Sequence, residues 1–291
     1  MDSSLLSELS RLFGVENPPY AAISALVDLE YPRDRIWVRA DPVFLHADMT
    51  SLLLFDSQNF FITEDEVAAL FSLLNPVLKP YDLCLQRGNA LLRWYMELDP
   101  VKHDDRMSVV SFPTRDAASR DIQAFMPKGA SGLGWVRLMN ECQMVLHDCP
   151  VNRQREARGE APINSLWFWG VGHLPDQVLC RFNRIMTNDI NARGLAVWSG
   201  IECEELPENM QKILVEGDKA DQVLIVVSQG DLSVSRAEGM DVWLREKEKL
   251  WFKPILSALK RRRIRQLTII TDGEQYLLKP YHLYRFWRQL G

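Results

Sequence analysis

The chain has 291 residues, 47% of them apolar, and 34 Lys and Arg against 39 Asp and Glu give a formal charge of -5. That length holds one large or two ordinary domains, and the apolar share is that of a folded core, which excludes disorder over most of the chain. A net negative chain lacks the basic face that nucleic acid or an anionic membrane demands, so neither is expected as a partner.

In chain order, Leu5, Leu6, Leu9 and Leu12 recur at helical spacing between Ser3 and Phe13, with Gly14 as a stop. Ile36–Arg39 and Ser51–Phe55 are short runs bounded by Asp and Pro, and they read as strands. Thr63-Glu64-Asp65-Glu66 is a capping box, in which the Thr hydroxyl and the Glu carboxylate each take up a free backbone donor; the helix it opens ends near Pro76. Leu83–Leu85 and Ala90–Met96 predict antiparallel strands joined across Arg87-Gly88-Asn89. Trp135–His147 predicts a buried helix with Leu138, Met139, Cys142, Val145 and Leu146 on one side. Further on, Gly194–Trp198, Val223–Val227 and Leu267–Ile270 predict three strands of one sheet. The last two flank a helical pattern from Asp241 to Lys260, which gives a βαβ unit with strands buried on both faces.

Cys84, Cys142, Cys149, Cys180 and Cys203 are odd in number and form no Cys-x-x-Cys pair, so a reducing compartment is expected. The N-terminus carries acidic and polar residues where a signal peptide is basic, and no apolar run reaches bilayer length; a cytoplasmic location follows as the expectation. Arg261, Arg262, Arg263 and Arg265 lie between a helix end and a strand start, where cations complement the helix dipole. The spacing of Tyr284 and Trp287 predicts a docked terminal helix, with contact to a protein partner as the alternative use of this aromatic tail. His103-Asp104-Asp105 and His147-Asp148-Cys149 set ligand-type residues side by side, but adjacent side chains rarely converge on one metal.

The most distinctive stretch is Pro150-Val151-Asn152-Arg153-Gln154-Arg155-Glu156-Ala157-Arg158-Gly159, followed by Asn164-Ser165-Leu166-Trp167-Phe168-Trp169-Gly170-Val171-Gly172-His173-Leu174-Pro175. It resembles the archaeal-type cofactor-independent phosphoglycerate mutases, in which His-Pro-Val-Asn with a downstream Arg and Gly leads into Asn-x-Ile-Trp-x-x-Gly-x-Gly. Phe61–Glu66 and Leu91–Tyr95 resemble other parts of that family in the same order, so the likeness covers roughly residues 30 to 175. The sequence is similar also to a bacterial group named as phosphoglycerate mutase-like or RpfE-type regulatory proteins.

The resemblance implies an α/β fold in which an α+β substrate-type module, residues 1–162, packs on a smaller βαβ module, residues 163–291, like part of an alkaline phosphatase core. It implies ligand binding by Asn152, Arg155, Arg158, Asn164, Trp167, Trp169, Gly170 and Gly172. Arg presents planar donors to phosphate or carboxylate, and paired glycines let backbone amides approach an anion. The chemistry of that superfamily needs a Ser or Thr nucleophile and two divalent metals. The N-terminal segment that carries the nucleophile there is expected to have no counterpart here. Where the family has Asp-Glu-Ala-Gly-His and Asp-His, this sequence reads Asp231-Leu232-Ser233-Val234-Ser235 and Thr271-Asp272-Gly273. Asp231 and Asp272 are therefore vestigial metal candidates or turn residues beside Gly230 and Gly273. No catalytic residue and no cofactor is expected, with manganese or magnesium as the alternative. The function expected is regulatory or ligand-binding, toward a small phosphorylated acid. A metal-dependent phosphomutase or phosphatase and a protein-interaction scaffold are the alternatives.

Overall fold

The computed structural model describes residues 5–29, 35–49, 51–57, 59–174, 178, 180–216, 222–228, 240–271 and 274–284. These form a mixed α/β fold that falls into two compact units, Asn17–Gln177 and the combination of Met1–Glu16 with Val178–Gly291. The division differs from the expected break after residue 162, and the physical reason is strand pairing. Strand β5 (Ser165–Gly172) runs antiparallel along β1 (Ile36–Ala47), from Val43 opposite Ser165 to Trp37 opposite Gly172. Helix α1 (Leu5–Phe13) forms as its spacing predicts, buries Leu6, Leu9 and Phe13, and stops at Gly14 with φ +64°.

In the unit Asn17–Gln177, β1 organises an antiparallel sheet. Its first residues pair with β4 (Trp94–Leu98), its last with β2 (Leu52–Phe55), and β3 (Leu85–Arg87) pairs on β4. The strand is three times the predicted Ile36–Arg39, because Asp41-Pro42 reads as a break but does not act as one. Pro42 falls where β5 is the sole described partner strand, so its missing ladder donor costs least there. Strands β3 and β4 each begin later than predicted, because residues 88–93 close a turn through Gly88 N–H to Arg93 O (2.8 Å) and Arg93 N–H to Ala90 O (3.1 Å).

Helix α2 (Tyr20–Asp28) is almost wholly buried, with Ala21, Ala22 and Ala25 fully so. Small side chains let its start approach β5: a Cβ on Gly170, whose φ is +70°, would lie 2.8 Å from the Ala21 nitrogen. Helix α3 (Glu64–Leu78) carries both capping-box bonds between Thr63 and Glu66 and buries Val67, Leu70, Leu74 and Leu78; Pro76 sits inside its last turn. After the short helices α4 (Asp104–Met107) and α5 (Thr114–Ala117), α6 (Gly132–Leu146) lays Trp135 against Phe168 of β5, ring centroids 5.2 Å apart. Helix α7 (Pro150–Ala157) then leads into β5.

In the other unit β6 (Arg184–Thr187) is the centre of a parallel sheet ordered β7-β6-β8, with β7 at Glu202–Glu204 and β8 at Val223–Val226. The predicted strand Gly194–Trp198 is instead inside helix α8 (Ile190–Ser199), which Asp189 caps and Gly200 ends at φ +68°. A run of five apolar residues carries no period of its own, so its caps decide. Helix α9 (Met210–Glu216) precedes β8. Helices α10 (Met240–Lys247) and α11 (Lys253–Lys260), joined by a π-helical turn, occupy the predicted helical stretch. Strand β9 (Leu267–Thr271) pairs with β10 (Glu274–Leu278) in a separate hairpin and not with β8. The βαβ unit is thus not formed among the described residues, and β9 is only half-buried because one neighbour covers it. Pro280–Tyr284 makes a short 3-10 turn; the rest of the predicted terminal helix, including Trp287, lies outside the described residues. No described helix is long and apolar enough to cross a membrane.

Candidate functional site

The stretch from Asn152 to Gly172 is built by α7, a loop and β5, and each of its singled-out side chains has a definite place. Pro150 opens α7, and the Cys149 sulfur accepts from the Asn152 N–H at 3.4 Å as its cap. The buried Asn152 amide donates to Leu146 O and Ile163 O and accepts from Ile163 N–H, all at 2.8 Å. It fastens both ends of the segment between α6 and β5. Asn164 does the same across strands, accepting from Leu45 N–H and donating to Leu45 O at 2.8 Å.

Arg155, 1% exposed, donates to Ala161 O (2.8 Å) and to Glu66 (3.1 Å). Arg158 donates to Glu66 at 2.7 Å and to Glu160 at 2.9 and 2.8 Å. Both guanidiniums therefore meet at the carboxylate that also closes the capping box of α3. Burial pushes that carboxyl up, but the Thr63 N–H and the two Arg residues outweigh it and hold Glu66 below the usual carboxylate range.

Farther along β5, the Trp167 indole donates to Phe112 O and that of Trp169 to the Asp41 carboxylate, each at 2.7 Å. Asp41 also accepts from Arg39 at 2.9 and 2.5 Å and from Thr114 at 3.4 Å. The Arg39 guanidinium lies between the rings of Tyr95 and Trp169, 5.1 and 5.2 Å from their centroids. Tyr95 in turn donates to Asp28 at 2.8 Å, and Arg93 binds Asp28 with two donors at 2.6 and 2.8 Å. Burial, followed by the Asp28 charge, pushes the Tyr95 hydroxyl well up despite nearby Arg39. Burial also opposes ionisation of Asp28, but Arg93 and Tyr95 together hold it below its ordinary value. The arrangement is a paired, desolvated network that fixes strands, and its polar groups have their partners.

These are two separate clusters: among the described residues, no hydrogen bond or ion pair links the Arg155–Arg158 group to the Trp169 network. Gly170 donates its N–H to the Ser111 hydroxyl at 3.2 Å, and a Cβ on Gly172 would lie 2.7 Å from Pro19 Cβ. Sequence reasoning missed Asp28, Arg39, Asp41, Arg93 and Tyr95. A signal was present for one pair, since Arg39 and Asp41 stand two apart in an apolar strand, and that period puts both on one face.

The remaining candidates are structural or fall elsewhere. His103 is buried, accepting from Asp99 N–H through Nδ1 and donating from Nε2 to Tyr81 O, both at 2.8 Å. His147 is exposed and Asp148 pairs with Arg153. At the end of β6, Thr187 donates to Val226 O at 3.0 Å, and Asp189 accepts from Asn191 and Ala192 N–H. Asp231 and Asp272 lie outside the described residues. Among the described residues no group of three or more His, Cys, Asp or Glu side chains could hold manganese or magnesium.

No family model matches the chain. It is 39% identical over 69 residues to a Geobacter sulfurreducens protein named "Probable 2,3-bisphosphoglycerate-independent phosphoglycerate mutase", a match covering 24% of this chain and 17% of that protein. It is 24% and 26% identical over 151 and 150 residues to the 2,3-bisphosphoglycerate-independent phosphoglycerate mutases of Methanosarcina acetivorans and Methanosarcina barkeri, covering 50% of this chain and 37% of each of those. The chain thus has a phosphoglycerate mutase-like relationship in sequence, and its matches span well under half the length of these relatives. Among solved structures, it is similar to the cofactor-independent phosphoglycerate mutase of Thermoplasma acidophilum, with 16% identity, TM-score 0.38 and coverage of 85% and 70% of the two chains. The PH0037 protein of Pyrococcus horikoshii gives 14% identity, TM-score 0.44 and coverage of 84% and 65%.

Proposed function

We propose that this chain is a phosphoglycerate mutase-like protein that binds a small phosphorylated acid without converting it, in a regulatory or ligand-binding role. The observation that carries this reading is how the Asn152–Gly172 stretch is used: Asn152, Arg155, Asn164 and Trp169 spend their polar groups holding α7, β5, α3 and β1 together, and Trp167 ties β5 to the loop at Phe112. This use supports reading the stretch as the retained framework of a substrate-type module. The sequence supports the same reading from the other side, because Asp231 and Asp272 stand without the histidines of the resembled motifs. Two carboxylates do not meet the donor demand of a two-metal phosphoryl-transfer site.

The test is a melting curve with 3-phosphoglycerate and 2-phosphoglycerate, alongside an assay of their interconversion with added manganese or magnesium. A ligand at a hundred times its dissociation constant adds about 2.7 kcal/mol, which moves the transition by a readily measured amount. Stabilisation without interconversion is the expected result. No shift with either acid removes the ligand from this reading. Turnover that disappears with a chelator and again in Asp272→Ala replaces it with a metal-dependent phosphomutase.

A further inference from the structure

Arg106 is 7% exposed, and its guanidinium sits between two aromatic faces, 4.8 Å from the Tyr81 centroid and 5.5 Å from that of Trp135. Its Nη1 is buried and has no hydrogen-bond partner. Glu141, the carboxylate that meets Tyr81, accepts from the Tyr81 hydroxyl at 2.7 and 2.8 Å, and Arg106 makes no ion pair among the described residues. Ring faces attract a cation but do not replace the water it has lost, so a buried guanidinium short of an anion is an incomplete arrangement.

Its position adds a second mismatch. Arg106 is held against the start of α6, where the Trp135 indole donates to Arg106 O at 3.0 Å. A helix start carries the positive end of the dipole and favours an anion. The first turn of this 15-residue helix has no acidic residue and Ser131 makes no side-chain cap, although Gly132 N–H and Gly134 N–H already donate to Gly129 O and Ser131 O, each at 3.1 Å. Gly134, in that turn, is exposed; a Cβ built on it meets within 4 Å only Arg106 Nη1, at 3.9 Å. A group added over exposed Gly134 would thus stand within van der Waals reach of the buried, unpartnered nitrogen, beside the helix start.

We propose that Arg106 and the first turn of α6 form a seat for the oxygens of a small anion, a phosphate or carboxylate group, entering over Gly134. For the identity of its ligand this seat rests on the phosphorylated-acid reading above, but it uses residues outside the Asn152–Gly172 stretch.

The probe is inorganic phosphate, titrated calorimetrically into the full chain against chloride at matched ionic strength. Saturable phosphate binding is expected in the wild type, weakened at least about tenfold in Arg106→Gln, as for loss of a charge-assisted bond. Gly134→Asp offers a check that does not depend on that variant folding. Its carboxylate is placed to pair with Arg106 and the helix start, so it raises the melting temperature and abolishes phosphate binding. No saturable binding in the wild type, or unchanged binding in either folded variant, overturns the seat. Repeating the titration with 3-phosphoglycerate separates the two proposals. If phosphate binding does not depend on Arg106 while 3-phosphoglycerate binds equally to wild type and Arg106→Gln, the seat falls and the reading stands. If phosphate binds through Arg106 and 3-phosphoglycerate does not bind at all, the seat stands and the reading falls.

Discussion

The two units solve the problem of a small sheet differently. In Asn17–Gln177 one twelve-residue strand is shared by three partners, and charged groups are taken inside and paired: Arg39 with Asp41, Arg93 with Asp28, Arg155 with Glu66. In the other unit the described strands have three to five residues, and their ion pairs, such as Arg184 with Glu202 and Glu204, stay near the surface. The contrast shows where stability depends on single polar partners. Surface pairs contribute little, whereas a buried charge is costly the moment its partner goes.

Asp41→Ala puts this to the hardest test, since it strands Arg39 between two rings. A loss of about 3–5 kcal/mol by urea unfolding is expected, with Arg184→Ala, in the other unit, costing less than about 1 kcal/mol. Similar losses from the two would erase the contrast. Asn152→Ala removes the donor to Leu146 O and Ile163 O and the acceptor of Ile163 N–H and should cost roughly 2–3 kcal/mol, read from the same curves. Thr63→Ala removes one side of the capping box and should cost about 1 kcal/mol.

Acid sharpens the comparison further. Asp28 and Glu66 titrate below their ordinary values of 3.8 and 4.5 in the folded unit, so the stability they contribute is fully present above those values. It is lost as pH falls through their lower folded values. Unfolding curves between pH 5 and 2 should therefore steepen in the wild type and flatten in that window for Asp28→Asn; an equal slope in both would remove Asp28 from the account.

Legibility in the sequence follows the range of the interaction. The capping box Thr63–Glu66 and the helix Leu5–Phe13 were readable because everything that decides them lies within a few residues. Gly194–Trp198 was misread because a five-residue apolar run suits a strand or a helix, and the deciding caps, Asp189 and Gly200, lie outside it. Val223–Val226 and Leu267–Thr271 were read correctly as strands, but their partners were not, since pairing is a property of the whole sheet. The site was legible as a set of unusual residues and not as a set of contacts. Asn164 closes on Leu45 across 119 positions, and Arg106 looks like any charge in a polar stretch until Tyr81 and Trp135 enclose it.

The sulfur that caps α7 gives the molecule an internal clock. Cys149 is buried while it accepts from Asn152, and Cys142, on the inner face of α6, is buried with burial first among the causes that push its thiol up to about 12. Only a thiolate reached by solvent reacts with an alkylating reagent, so modification of these two records how often the unit Asn17–Gln177 opens. Cys180 and Cys203, partly exposed in the other unit, supply the faster hand of the same clock.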